Sequence, residues 1–246
     1  MNLIIDIGNS CAKVAVMAAG KVTYSVKSES LTENIIAEVL KKYPGISAAI
    51  MCSVKATNER VKDFLNREIA YFLDFDHATP VPIENCYETP RTLGLDRLAA
   101  AVGAKKIFGT GNILVIDFGS AITIDWIEEG KFMGGNISPG ASLRFKSLHD
   151  YTDKLPLCKL QEESGLLGKT THSAIENGVI NGIVYEIKQY IERFTKNCKE
   201  PHVIFTGGDG KYFADKLKNT IFVSCDLVFL GLNEVLEYNN ALRKEV

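Results

Sequence analysis

Apolar residues run unbroken at 3–5 and again at 14–17, and between them stands Asp6-Ile7-Gly8-Asn9-Ser10. Short apolar runs bounded by turn residues predict buried strands joined by a hairpin. The same pattern returns later in the chain. Residues 3–16 read LIIDIGNSCAKVAV, and residues 114–127 read LVIDFGSAITIDWI. Each is an apolar strand, then Asp-x-Gly, then a small hydroxylated or amide residue, then a second apolar strand. Asp6 corresponds to Asp117 and Gly8 to Gly119, an offset of 111 residues (117 − 6). Self-similarity at one offset is the mark of a repeated unit. It predicts a duplicated domain, with copies at 1–109 and 110–246 that meet near Gly109-Thr110-Gly111.

The flanking segments extend the repeat. A third strand is predicted at 21–27 after the Ala19-Gly20 turn, and at 131–137 after Glu129-Gly130. In the first half, helices at 32–43 and 58–69 alternate with strands at 47–53 and 70–74. An irregular stretch with Pro80, Pro82 and Pro90 follows, then a helix over 95–108. In the second half the spacing predicts helices at 171–195, 211–217 and 227–242, with strands at 202–206 and 220–223. Residues 150–170, with Pro156 and Gly165, read as a long connection. Three strands followed by strand–helix alternation, given twice, predict an α/β fold with a mixed sheet in each half.

Composition excludes several classes. Hydrophobic residues are 46% and charged residues 24%, ordinary values for a globular chain. Lys+Arg 28 against Asp+Glu 30 gives a net charge of -2, too little field to draw in nucleic acid or an anionic membrane. No long uncharged apolar stretch is present, so no membrane span is expected. The start MNLIIDIGNS has no basic region and Asp6 breaks its apolar run, so it does not read as a signal peptide and a cytoplasmic location is expected. Six cysteines are scattered without a C-x-x-C pair, which predicts buried reduced thiols and neither disulfides nor a zinc site. The four histidines are dispersed and read as structural or surface residues.

The candidate chemistry lies in the hairpins. Gly8 has no side chain, so a phosphate can approach its backbone closely. Asn9 and Ser10 can donate to phosphate oxygens, and Lys13 adds a point charge. Asp6, at the end of a buried strand, offers a carboxylate for a magnesium ion or its water. A plain hairpin turn explains Gly8-Asn9 as well, but two copies with Asp in the same place favour phosphate binding. Such hairpins from the two halves are expected to face each other across a nucleotide cleft. Two carboxylates there require cations, so bound metal is expected. The glycine pairs in 134–140 and in Thr206-Gly207-Gly208-Asp209 suit a nucleotide lying on backbone, and suit plain turns equally.

The chain resembles the actin, hexokinase and Hsp70-like ATPase superfamily through its duplicated Asp-x-Gly hairpins and late Thr-Gly-Gly. Within it, the chain is similar to the type III pantothenate kinases. The similarity rests on D-I-G-N-S at 6–10, Y-E-T-P-R-T-L-G-L-D-R at 87–97, D-F-G-S-A at 117–121 and G-G-N-I-S-P-G at 134–140. It continues through T-x-x-A-I-x-x-G at 171–178, T-G-G-D at 206–209 and L-V-F-L-G-L at 227–232. Gly94-x-Asp96-Arg97 is the most discriminating element. Ser120 stands where the family usually has Thr, and the hydroxyl is retained.

The resemblance implies two actin-like (ribonuclease H-like) domains, each a mixed sheet flanked by helices, with the nucleotide cleft between them. It implies transfer of the γ-phosphoryl group of ATP to pantothenate, giving 4'-phosphopantothenate, the first step of coenzyme A synthesis. By carry-over, Asp96 is the general base. From the residues alone, Asp96 is better explained as a dipole partner in a first helical turn, with Arg97 its surface companion. The resemblance assigns ATP to Asp6, Ile7, Gly8, Asn9, Ser10, Cys11, Ala12, Lys13 and Ser120. It assigns pantothenate to Tyr87, Gly94, Leu95, Asp96, Arg97 and Thr171. Asp6 would serve magnesium and Asp117 a monovalent cation, potassium or ammonium. Read alone, Tyr87 is an ordinary half-buried aromatic and Thr171 a helix cap. A homodimer is also implied, with helices 171–195 and 227–242 as candidate surfaces. Two other readings remain open at this point: another small-molecule kinase of the same superfamily, and an ATP-dependent switch or accessory factor without kinase activity.

Overall fold

The computed structural model describes residues 1–55, 59–217 and 221–244. Asn58 and Thr220, the expected first residues of a helix and a strand, lie outside them, as do the last two residues of the second predicted copy. The apolar run at 3–5 forms the centre of β1 (Asn2–Ile7), wholly excluded from solvent. β1 pairs antiparallel with β2 (Ala12–Ala18), which pairs antiparallel with β3 (Lys21–Ser28). Helix α1 (Glu33–Lys42) follows. The predicted ends 32 and 43 are its caps, and the Thr32 hydroxyl accepts from the backbone N–H of Ile35. β4 (Ala48–Ser53) then pairs parallel with β1, and after α2 (Glu59–Glu68), β5 (Tyr71–Asp74) pairs parallel with β4. The first sheet has the order β3-β2-β1-β4-β5.

The second half repeats this plan. After β6 (Glu84–Asn85), a 3-10 turn (Pro90–Thr92) and α3 (Leu95–Phe108) come β7 (Asn112–Phe118), β8 (Ala121–Glu128) and β9 (Lys131–Pro139). Then follow α4 (Ala141–Asp150), α5 (Thr171–Asn197), β10 (Pro201–Thr206), α6 (Gly210–Leu217), β11 (Phe222–Val223) and α7 (Leu227–Lys244). The second sheet runs β11-β10-β7-β8-β9-β6. Without β6, both sheets share one order: the third, second, first, fourth and fifth strands of a copy. The fold is thus two duplicated actin-like domains, each a mixed sheet with helices. Even the turns match. Ala19 and Gly20 have φ of 49° and 74°, and Glu129 and Gly130 have 51° and 76°. Positive φ at both central residues is the turn that suits two tightly twisted strands. The Asp-x-Gly loops differ in length: 8–11 in the first copy, 119–120 in the second.

The chain forms two compact units. One comprises Met1–Gly111, Ile127–Gly134 and Asp226–Val246; the other comprises Asn112–Trp126 and Gly135–Cys225. In the first unit, Leu3, Ile5, Val14, Val16, Ile36, Met51 and Leu65 form a core between the sheet and α1 and α2. Helix α3 is buried from Leu95 through Ala104 save Asp96, and α7 lies against it. In the second unit, Ile175, Val179, Ile183, Ile187 and Ile191 bury one stripe of α5 at four-residue spacing. Phe118 meets Phe205 and Phe213 with ring centroids 4.8 and 5.0 Å apart.

Two expectations need correction. Helix α4 and strand β6 are absent from the sequence reading. Only Ala141 and Phe145 of α4 are buried, too few to show a period, and β6 is two residues long. All six cysteines are free thiols, but only Cys52 and Cys158 are buried, while Cys86 and Cys225 are exposed. Among the described residues no helix is long and apolar enough to cross a membrane.

Candidate active site

Strand pairing places Asp6 beside Lys13 on β2 and Cys52 on β4. Directly paired residues share a face of the sheet, so these three side chains form one row. Asp6 is only 7% exposed, and the Lys13 Nζ stands 3.9 Å from its Oδ2. Burial pushes the Asp6 carboxyl up from 3.8 to about 6; Lys13 opposes the rise and the charge of Asp96 adds to it. The Cys52 thiol is raised as well, first by burial and then by Asp6, Asp96 and Asp74, so it stays neutral beside these carboxylates.

The loop is closed by the Gly8 N–H donating to the carbonyl of Cys11 at 3.0 Å. Asn9 and Ser10 at its tip are exposed. A Cβ added at Gly8 would touch only the Cys11 carbonyl, at an ordinary 3.6 Å. The chain's own structure therefore does not demand glycine there.

Gly94 is the N-cap of α3, and Asp96 lies in its first turn. The Arg97 N–H donates to Asp96 Oδ1 at 2.9 Å, which fixes the carboxylate over the helix end. A Cβ on Gly94 would come within 2.5 Å of that same oxygen, so glycine is required for Asp96 to hold this pose. Leu95 is turned into the core, which leaves its backbone as the part able to meet a ligand. Arg97, expected at the surface if purely structural, is 5% exposed. Its guanidinium carbon stands 5.7 Å from the Tyr87 ring centre and 5.9 Å from that of Phe132. Tyr87 is held in turn by its N–H donating to Asn85 Oδ1 at 3.0 Å. The first unit therefore brings Asp6, Lys13 and the loop into the electrostatic reach of Asp96, and gathers Arg97 with Tyr87.

Asp117, Ser120 and Thr171 belong to the second unit. Asp117 pairs with Thr206 on β10, and Gly207 follows at φ +86°. A Cβ on Gly207 would lie 2.3 Å from Asp117 Oδ1. Gly140 serves the same hairpin: its N–H donates to the Ser120 carbonyl at 3.0 Å, and a Cβ there would strike the Gly119 and Ser120 carbonyls. The glycines in 134–140 and 206–209 read in the sequence as nucleotide backbone or plain turns. Gly140 and Gly207 have a structural task of their own, seating the second Asp-x-Gly hairpin. Thr171 is not the helix cap. Thr170 is, accepting from the Ser173 N–H at 3.2 Å in a capping box. Thr171 stands exposed in the first turn and lines a cavity of about 930 Å³ with Arg144, Ser147, Lys169 and Ile175.

A family model for type III pantothenate kinase matches residues 2–193. A type III pantothenate kinase of Phocaeicola vulgatus is 41% identical over 243 residues, covering 98% of this chain and 100% of the relative. The chain belongs to the type III pantothenate kinase family.

Solved structures agree on the fold. A conserved Baf family protein of Campylobacter jejuni, 24% identical, superposes with a TM-score of 0.63 over 97% of this chain and 99% of that one. The activator of the 2-hydroxyisocaproyl-CoA dehydratase from Clostridium difficile, with bound ADPNP, gives 0.56 at 13% identity over 100% and 97%. As a type III pantothenate kinase family member the chain is a phosphotransferase that uses ATP and a divalent metal. Asp6 fits such a metal: its carboxylate is desolvated and feels the charge of Asp96, a cost that a cation relieves. Among the described residues no group of three His, Cys, Asp or Glu is gathered for a metal. Sequence reasoning missed Phe132 and Cys52 as neighbours of the site. Both are plain apolar positions within strands, and only the pairing register brings them there.

Proposed function

We propose that this chain phosphorylates the primary hydroxyl of pantothenate at the expense of ATP, giving 4'-phosphopantothenate, with Asp96 as the base. The observation that supports this best is the pose of Asp96, fixed by Gly94 and the Arg97 N–H, within one unit that also carries the loop 6–13. The hydroxyl oxygen bonds to the γ-phosphorus, the bond to the bridging oxygen breaks, ADP leaves, and the hydroxyl proton passes to Asp96. A carboxylate is a weak base for an alcohol, but phosphoryl transfer passes through a loose transition state in which the proton leaves late.

The run from Asp6 and Ile7 through Gly8, Asn9, Ser10, Cys11 and Ala12 to Lys13 holds the phosphates. Gly8 fits this role because nothing in the chain itself needs glycine there, whereas close approach of a phosphate does. Ser120 adds a hydroxyl contact to ATP. Arg97, with Tyr87, Gly94 and the Leu95 backbone, binds pantothenate, and Arg97 offsets charge on the transferring group. Thr171, unused by its own helix cap, contributes its hydroxyl to pantothenate. Magnesium at Asp6 neutralises phosphate charge when bound. Asp117 is the residue for potassium or ammonium, a role supported by its place at the end of β7 in the second Asp-x-Gly hairpin. The repeat assigns the two copies to 1–109 and 110–246. A cytoplasmic homodimer completes the reading, supported by the exposed Leu143, Leu166, Leu167 and Tyr185 of the second unit.

The test is ADP release by the purified protein with ATP, magnesium and a panel of acceptors. Release should depend on pantothenate and on potassium or ammonium, and should collapse in sodium. Equal rates in all three cations would remove the role of Asp117. Turnover without any acceptor would point to the switch reading instead.

A further inference from the structure

We infer that Phe132 is a positioning residue for Arg97, and through it for the phosphoryl transfer. The inference rests on the reading that Arg97 acts on substrate. A guanidinium that serves a transition state must be held in one place, and a buried one is held by what surrounds it. Two rings face Arg97. Tyr87 comes from the segment before α3, and Phe132 from β9. The rings lie 6.1 Å apart at 57° to each other, both within cation–π range of the same carbon.

Their anchoring differs. Tyr87 is half-buried and sits on an irregular segment, whereas Phe132 is 0% exposed and lies within a paired strand. Phe132 is opposite Asn85 in the β6–β9 ladder, its carbonyl accepts from the Cys86 N–H at 2.9 Å, and Asn85 holds the Tyr87 N–H. One short ladder therefore sets both rings. Phe132 is its rigid member, with its ring centre 5.9 Å from the guanidinium carbon. This also gives β6 a purpose. Two residues of strand add little to a sheet's stability, but they fix the distance between Tyr87 and Phe132. No atom of Phe132 need touch the substrate.

The test is a double-mutant cycle of Phe132→Leu with Arg97→Lys, measured as kcat/KM for pantothenate, with KM for ATP and Tm recorded for each variant. Lysine keeps the charge but lacks the planar face that stacks on a ring. Phe132→Leu alone should lower kcat/KM for pantothenate on the order of tenfold and leave KM for ATP unchanged. In the Arg97→Lys background it should cost no more than about twofold, because the group it positions is gone. Equal fold losses in both backgrounds would overturn the inference, as would no loss in the first. Arg97→Lys without effect would instead sink the role of Arg97, and the inference with it. Should Phe132→Leu fold poorly, Phe132→Met, unbranched, more adaptable in packing and also ringless, takes its place in the cycle.

Discussion

Asp6 is a buried carboxylate, and its burial carries a cost at the scale of one residue. Its carboxyl is raised from 3.8 to about 6 chiefly by burial. A raised acid binds its proton more tightly in the folded state than in the unfolded chain. Its contribution to stability is therefore full below about pH 4 and is lost as the pH rises through about 6. The shift corresponds to about 3 kcal/mol of cost at pH 8. In the metal-free protein, Asp6→Asn should raise Tm by several degrees at pH 8, and the gain should vanish at pH 4. Thermal scans of the two proteins in chelator at both pH values check this; an unchanged or lower Tm at pH 8 contradicts the buried, costly carboxylate. The same substitution should remove activity. Asp6 and Asp96 were legible because each sits in a short motif with chemical meaning. Phe132 and Cys52 were not, because their place beside Tyr87 and Asp6 depends on which residue of a neighbouring strand they face. The reading of Thr171 as a cap failed by one position, since two adjacent threonines offer the same hydroxyl.

Elements bring the site residues into place, and α3 is the clearest case. It carries Asp96 and Arg97 at its start and is buried along most of its length. Helix α7 closes on it through two glycines. A Cβ on Gly231 would lie 1.7 Å from the Ala99 carbonyl oxygen, and one on Gly103 would lie 2.4 Å from that of Leu227. Backbone meets backbone, so no side chain can yield. Gly231→Ala should cost about 3 kcal/mol or more in a urea melt, and should lower kcat because α3 must shift. Gly178→Ala in α5, where nothing lies within 4 Å of the new Cβ, should be neutral or stabilising by up to ~1 kcal/mol. Comparable losses in the two variants would mean that helix propensity, not contact, governs Gly231. The sequence displayed α3, α5 and α7 through their apolar spacing. It did not display α4, whose buried face is two residues wide.

For the whole molecule, the repeat seen in two stretches of sequence extends to the order of strands in both sheets. That much was legible because a duplicated unit repeats its local pattern. What was not legible is non-local. Helix α7 is last in the chain yet belongs with the first unit, and β6 comes from the first half yet borders β9 of the second. Neither pairing leaves a periodic trace in sequence. The small net charge of -2 means that anionic ligands must be held by local groups and cations. The second unit's exposed leucines predict a dimer in solution. Light scattering should give twice the chain mass, and a monomer at micromolar concentration would remove that proposal.

Asp96 is proposed to take the proton of the pantothenate hydroxyl, and Asp96→Asn removes that ability while keeping the fold. Asparagine keeps the shape and the Oδ1 acceptor for the Arg97 N–H but cannot act as base at neutral pH. With ATP, magnesium, potassium and saturating pantothenate, kcat should fall by roughly 10²–10⁴-fold, with Tm and KM for ATP little changed. A folded Asp96→Asn protein that phosphorylates pantothenate at close to the wild-type rate would contradict the mechanism.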